Sequence, residues 1–343
     1  MTIEEIDVNM IEAKNLLCSK KKIVIVPHMS PDGDAMGSSG ALSMFLNNMG
    51  HEASVVTPDA YPAYLSWLPE ISNTIVFTDK TTLAKQKIAD AEIIFFLDHN
   101  DEARQGFVQK KISESNAVKI MIDHHPYPKA DVKLMFSRTD VTSTCEMVYE
   151  FITALEGKDA ITKEIATCLY TGINTDTGGL NYNSAFPQTY RVVADLLEKG
   201  LDKGAVHERL YNNSTESRLR LMGFCLSEKM ILLPEYHAAV MSLSMEEMER
   251  FNYQDGDSEG FVNIPHGIKG IDISIYISEK KDKVKLSFRS KRNIPINILA
   301  SEHFNGGGHK NAAGGAIEEL PLAEVVEKVL DLLPAFAKEY GEN

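Results

Sequence analysis

The sequence predicts an α/β protein in two parts, a parallel-sheet domain joined by a linker to a smaller mixed-sheet α/β domain. Three observations carry that prediction. Short continuous apolar runs alternate with longer helical patterns through the first 125 residues, the pattern changes to alternating strands beyond residue 216, and 343 residues exceed what one ordinary core holds.

The first stretch, MTIEEIDVNMIEAKNLL, is acidic and amphipathic, so it reads as a first helix and not as a basic, apolar leader. Five runs then read as strands: KIVIVPH (22–28), ASVVTP (53–58), NTIVFT (73–78), EIIFFLDH (92–99) and AVKIMIDHH (117–125). Continuously apolar and separated by helical segments, they fit a parallel sheet covered on both faces. Helices follow at about 143–156 and 160–173, then the turn-rich GINTDTGGLNYNSAF, then a helix near 187–199. Gly, Asn and Ser-Thr breaks in LDKGAVHERLYNNSTE mark a connection, which sets a first domain at 1–196, a linker at 197–215 and a second domain at 216–343. In the second domain HAAVMSLS, GIDISIYISEK and KVKLSFRS read as strands of a mixed sheet. A helix near 294–304, a glycine-rich loop and a closing helix at about 321–340 complete it.

Composition narrows the function classes. A hydrophobic share of 43% and a charged share of 24% are those of a globular protein and exclude disordered and fibrous chains. The formal net charge of −14 argues against a protein that tracks long duplexes, whose affinity comes from neutralising many phosphates at once. Carboxylates gathered around divalent cations would account for part of that excess, because the bound charge offsets theirs. Cys18, Cys145, Cys168 and Cys225 form no Cys-x-x-Cys pair, so neither a zinc knuckle nor a disulfide framework is expected, and a reducing cytoplasm fits. No apolar run reaches the length of a membrane span.

Four separated segments carry one kind of chemistry: His28, Asp32 and Asp34 in HMSPDGDAMGS, Asp98 in LDHND, the triplet Asp123-His124-His125, and Asp176 in GINTDTGG. Taken singly each is weak, since Asp-Gly-Asp is ordinarily a turn and a histidine pair is often satisfied by backbone. Their joint placement is the stronger signal. His28, Asp98 and the triplet fall at the carboxyl ends of expected strands, where open α/β sheets hold their ligands. Carboxylate oxygens mixed with imidazole nitrogens, without thiolates, suit manganese or magnesium better than a soft-ligand metal.

These segments resemble the four ordered motifs of the DHH phosphoesterases, and SFRS followed by GGGHKNAAGG resembles the DHHA1 domain that accompanies them. Within that family, the length and the simple pairing of the two domains are similar to the NrnA-type oligoribonucleases (nano-RNases) that also act as 3'-phosphoadenosine 5'-phosphate phosphatases. The resemblance implies an active site in the cleft between the domains and two manganese ions, with magnesium or cobalt as substitutes. One would be held by His28, Asp32 and Asp98, the other by Asp34, Asp98, His124 and Asp176, with Asp98 bridging. Asp123 would orient a ligating imidazole, or simply cap the next turn, and His125 would face the substrate as a proton donor. His99 has no assigned role. Arg104 is a candidate for a substrate phosphate or a surface ion pair, and Arg289, Ser290, Gly307, Gly308, His309 and Asn311 would clamp a phosphate or nucleotide.

Charge placement supports the clamp separately: between 269 and 310 basic residues outnumber acidic ones, although Lys280–Lys285 read as a solvated face. No Walker spacing and no GxGxxG is present. The expected activity is two-metal hydroxide attack on short oligoribonucleotides, releasing 5'-mononucleotides, and on phosphoadenosine phosphate, releasing AMP. Expected partners are short RNA or DNA oligonucleotides and nucleotide phosphates, with no membrane and no long duplex; a homodimer is left open. Rival hydrolases share the metal motifs: a linear or cyclic dinucleotide phosphodiesterase, and an exopolyphosphatase or pyrophosphatase. A non-catalytic nucleotide-binding regulator would be expected to lack ligands, and none is missing.

Overall fold

The computed structural model describes residues 3–182 and 184–341 and divides into two compact units, 1–212 and 213–343. The first unit holds six parallel strands: β1 (Lys22–Pro27), β2 (Glu52–Thr57), β3 (Ile75–Val76), β4 (Ile93–Leu97), β5 (Val118–Asp123) and β6 (Leu134–Ser137). Its helices are α1 (Ile3–Leu16), α2 (Gly33–Asn48), α3 (Thr81–Asp90), α4 (Gln109–Ser113), α5 (Thr144–Glu156), α6 (Lys163–Asp176), α7 (Pro187–Glu198) and α8 (Lys203–Tyr211).

The continuous apolar runs serve two faces. Ile23, Ile25, Ile93, Phe95, Leu97, Ile120 and Ile122 enter one core with α2, α5 and α6. Their neighbours Val24, Val26, Ile94, Phe96 and Met121 enter a second core with Ala84, Ile88 and Ile112 of α3 and α4. Alternation along each strand sends successive side chains to opposite faces, so both must be apolar. Phe95 also meets Phe151 of α5 edge-on at 5.9 Å, a geometry worth about 0.5–1.5 kcal/mol beyond the area it buries.

Strand order is β3-β2-β1-β4-β5-β6, so the direction of winding reverses between β1 and β4. Pro27 lies opposite Leu97 in that pair, which sets the following residues, His28 and Asp98, side by side at the switch point. Helix α2 is buried from Gly33 to Leu46, and its glycines let α6 approach closely. A Cβ on Gly37 would lie 2.6 Å from the Cys168 carbonyl oxygen, and one on Gly172 would lie 2.8 Å from Asp34 Oδ1.

Several expectations change here. Residues 174–176, read as turn, continue α6 to Asp176, and the chain turns only at Gly178 and Gly179, both at positive φ. Residues 197–215, read as a linker, are largely helical. Leu201 and Val206 join the first unit's core, Arg209 stacks on Trp67 at 4.9 Å, and Tyr211 OH donates to Asn174 Oδ1 at 2.7 Å. Composition alone does not separate such a polar docking helix from a connection.

The second unit holds α9 (Glu216–Glu228), β7 (Ile231–Leu233), β8 (Ala238–Leu243), α10 (Met245–Arg250), β9 (Ile273–Glu279) and β10 (Val284–Ser290), then α11 (Ile296–His303), β11 (Gly307–His309), β12 (Ala312–Ile317) and α12 (Leu322–Tyr340). Its sheet order is β11-β12-β10-β9-β8-β7, antiparallel except for the parallel β8–β9 pair. Val284, Leu286 and Phe288 of β10 face a core shared with α11 and α12, while Met241, Leu243 and Tyr276 face α9 through Leu221 and Cys225. The glycine-rich segment is not a loop. It forms the β11–β12 hairpin, with His309 paired to Ala312 across the two residues Lys310 and Asn311. Among the described residues, no helix is long and apolar enough to cross a membrane.

Candidate metal centre

The ends of β1, β4 and β5, the amino-terminal end of α2 and the last residue of α6 bring His28, Asp32, Asp34, Asp98, Asp123, His124, His125 and Asp176 together. Two groups have ligand atoms within 4.8 Å of one another, His28–Asp32–Asp98 and Asp34–His124–Asp176, and a third, Asp98–Asp123–His125, adjoins them. Asp98 faces both sides. Its Oδ2 lies 3.4 Å from His28 Nε2, and its Oδ1 lies 3.6 Å from His124 Nε2. His124 Nε2 is in turn 3.6 Å from Asp176 Oδ2 and 3.9 Å from Asp34 Oδ2, while His28 Nε2 is 3.9 Å from Asp32 Oδ1.

Backbone sets these directions. Asp98 sits at φ 61°, a left-handed conformation that costs a non-glycine residue energy and is retained where the surroundings over-determine it. Asp32 is the amino-terminal cap of α2, accepting from the amides of Asp34 and Ala35 at 3.0 Å. Asp34 then lies inside the first turn, where both its oxygens are fixed by α5. Thr144 N donates to Oδ2 at 2.6 Å and Cys145 N to Oδ1 at 2.9 Å, satisfying orphan donors of that helix's amino terminus. The Thr144 hydroxyl donates to Asp98 Oδ1 at 2.9 Å.

Thr144 therefore touches both central carboxylates, and sequence reasoning did not single it out. The available signal was Ser143-Thr144-Cys145-Glu146, the opening of a helix after the last strand, where Ser143 Oγ accepts from Glu146 N at 3.1 Å. Glu146 is buried and accepts from Thr142 Oγ1 at 2.8 Å and Thr189 Oγ1 at 2.9 Å, which anchors the turn that presents Thr144.

Electrostatics show a cluster with surplus negative charge. Burial, then the charges of Asp98, Asp176 and Asp32, push the Asp34 carboxyl well above the ordinary range, against the hydrogen bond from Cys145 N. Burial also opposes ionisation of Asp98, yet the hydrogen bond to His28 and the charges of His125, His28 and His124 hold its carboxyl below the usual range. For His28, burial favours the neutral ring but its hydrogen bond to Asp98 and the charges of Asp32 and Asp98 raise its pKa; burial lowers that of His124. Divalent cations would relieve this crowding directly, and the all-oxygen and imidazole donor set fits hard or borderline cations. Asp32 and Asp176 are the exposed members, so each group opens to solvent through one carboxylate, as a catalytic site requires.

Beside the two groups, His125 Nδ1 lies 2.7 Å from Asp123 Oδ1, and Arg104 Nη1 lies 3.0 Å from His125 Nε2. A guanidinium only donates, so Nε2 accepts and the Nδ1 hydrogen points to Asp123. Asp123 also accepts from His125 N at 3.0 Å. His99 is fully buried, with Nδ1 2.9 Å from the Leu97 carbonyl oxygen and Nε2 3.3 Å from Gln105 Nε2. Burial, with the charges of His28 and Arg104, lowers its pKa to about 3, so it is a neutral brace between β4 and the turn carrying Arg104.

In the second unit the expected clamp residues separate. Arg289, Ala312 and His309 form one cross-strand row of β10, β12 and β11, and Gly307 pairs with Gly314 on the same face. Ser290, one residue further, points to the opposite face and is buried. Its hydroxyl donates to the Ile294 carbonyl at 2.7 Å and accepts from Asn311 Nδ2 at 2.9 Å. Asn311 Nδ2 also lies 3.1 Å from the Arg292 carbonyl and 3.2 Å from that of Ile294. Gly308 sits at φ 143°, where a Cβ would meet the Ala312 carbonyl oxygen at 2.5 Å, so the hairpin itself demands that glycine; Gly307 faces open space.

Comparison with known proteins agrees with both units. The DHH family, N-terminal domain, matches residues 22–173, and the DHHA1 domain matches residues 236–339. The bifunctional oligoribonuclease and PAP phosphatase NrnA of Thermus thermophilus is 30% identical over 315 residues, covering 90% of this chain and 88% of the relative. Its counterpart from Bacillus subtilis is 27% identical over 324 residues, 93% of this chain and 95% of the relative. The crystal structure of an exopolyphosphatase-related protein from Bacteroides fragilis superposes with a TM-score of 0.94 at 39% identity, covering 98% of each chain. The chain belongs to the DHH family, its DHH domain followed by a DHHA1 domain.

Proposed function

We propose that this chain is a manganese-dependent phosphoesterase that releases 5'-mononucleotides from oligoribonucleotides a few residues long and converts 3'-phosphoadenosine 5'-phosphate to AMP. It is a hydrolase whose relatives are named as oligoribonucleases and PAP phosphatases. The observation that carries the reading is the division of Asp98, one oxygen toward His28 and the other toward His124. In this reading the first unit is catalytic, the second holds substrate, and the enzyme works in the cytoplasm.

His28, Asp32 and Asp98 would hold one cation, and Asp34, Asp98, His124 and Asp176 the other. When bound, the pair supplies Lewis-acid stabilisation of the phosphoryl oxygens and acidifies the attacking water. The chain's own groups do the rest. Thr144 fixes both central carboxylates, so their spacing does not have to be reorganised during the reaction. Arg104 leaves His125 for a substrate phosphate, because a charge-assisted bond to phosphate is stronger than one to neutral imidazole. His125 Nε2 then takes up a proton from solvent, Asp123 stabilises the imidazolium, and that proton goes to the leaving oxygen, which restores the neutral ring. Arg289, His309 and the amide of Gly307 grip a phosphate on one face of the second sheet, and Ser290 and Asn311 frame the strand that presents Arg289.

A second reading, exopolyphosphatase, is favoured by the name of the Bacteroides fragilis relative. A hydrolysis panel with manganese separates them: phosphoadenosine phosphate, a dinucleotide, a long RNA, a cyclic dinucleotide and polyphosphate. Turnover of the first two well above the rest is expected. Turnover of polyphosphate alone would replace the proposal with the second reading, and equal rates on short and long RNA would point to a processive exonuclease.

A further inference from the structure

Around the Arg104–His125 contact the loops carry large apolar side chains that the core does not use. Tyr127 is 84% exposed, Phe107 59% and Met29 43%. Tyr127 is two residues from His125, so their Cα atoms lie within about 7.6 Å, and Phe107 is three from Arg104. Met29 directly follows His28, its amide donates to the Arg104 carbonyl at 2.7 Å, and its side chain lies so close over Gly106 that a Cβ there would sit 2.6 Å from the sulfur. Met29 thus packs on the turn that carries Arg104 and Phe107, and Tyr127 belongs to the loop that carries His125.

The loop that carries Tyr127 is held in place. Asn100 staples the two loops: its carbonyl accepts from Lys129 N at 2.7 Å and Ala130 N at 3.1 Å, and its side-chain amide donates to the Pro126 carbonyl. Tyr127 sits at φ 60°, a left-handed conformation that a tyrosine adopts at a cost, and such strain collects at ligand clamps. A mobile surface loop would relax it.

We propose that Tyr127 and the Met29–Phe107 ledge form a nucleobase-stacking subsite for the nucleotide whose phosphate meets Arg104. The inference rests on the phosphoesterase reading and adds what that reading lacks, an account of how a base is distinguished from a bare phosphate. An aromatic face accepts any base, so the subsite is tolerant of sequence and selects for the presence of a base. A polyphosphate has nothing to place there. Arg104, on the same turn as Phe107 and 3.0 Å from His125, supplies the charge complementary to the phosphate attached to that base.

The test is steady-state hydrolysis of an adenine dinucleotide and of the same backbone with abasic sugars, by wild type, Tyr127→Ala, Phe107→Ala and Tyr127→Phe. Loss of one stacking partner raises KM for the dinucleotide about tenfold. The preference for dinucleotide over abasic substrate falls by the same factor, and Tyr127→Phe, which keeps the ring, restores it. An unchanged KM in both alanine variants overturns the subsite, and so does an equal rise on the abasic substrate. Failure of the wild-type protein to cleave either substrate contradicts the phosphoesterase reading itself, and the subsite with it.

Discussion

In the first unit Asp34 has both carboxylate oxygens fixed by the amides of Thr144 and Cys145, and Asp98 has one fixed by the Thr144 hydroxyl, yet both still face the cluster of imidazoles. In the second unit the Ser290 hydroxyl and the Asn311 side-chain amide nitrogen are also bonded, but to the backbone carbonyls of Ile294 and Arg292 and to each other. A residue in a motif can thus present chemistry or frame the residue that does. Carboxylates with two oxygens and several lone pairs can do both at once, whereas a hydroxyl has a single hydrogen to donate.

Substitutions can break that comparison. The largest effect is expected for Asp98→Asn, which keeps the shape but lowers the charge facing both groups: kcat/KM falls about a thousandfold, equivalent to about 4 kcal/mol of transition-state stabilisation. Circular dichroism should show the fold retained. Thr144→Val comes next, lowering manganese affinity or activity about 10- to 100-fold, since it removes the bond that orients Asp98 without touching a ligand; titration of activity against manganese concentration reads it. Arg289→Ala should raise KM for a dinucleotide about tenfold through loss of a charge-assisted bond, with manganese stoichiometry unchanged. Ser290→Ala has the smallest effect. It should lower stability by about 1 kcal/mol in thermal unfolding and leave KM within about twofold, because it removes a framing bond. A KM defect for Ser290→Ala as large as that for Arg289→Ala would end the distinction between presenting and framing.

Much of the first unit was legible because parallel strands buried on both faces must be continuously apolar, and ligands gather where such strands end. His28, Asp98 and the Asp123–His125 triplet needed no more than that. Asp176 was placed in the turn-rich GINTDTGGLNYNSAF; in the structure it ends α6, and Gly172 lets that helix approach Asp34 and α2. Thr144 was invisible because its role depends on α5 pointing its amino terminus at α2, a tertiary fact with no periodicity. Helix α8 was hidden by its polar composition, and the hairpin in GGGHKNAAGG by glycines whose need comes from close backbone contacts across strands.

Equilibrium dialysis of the metal-stripped protein against manganese measures directly whether Asp98 is shared between two cation sites, as proposed. About two manganese ions per wild-type chain and fewer than about one tightly bound ion in Asp98→Asn are expected, because in the proposed site a single carboxylate would serve both positions. One ion per wild-type chain, or two bound undiminished by Asp98→Asn, would contradict that sharing.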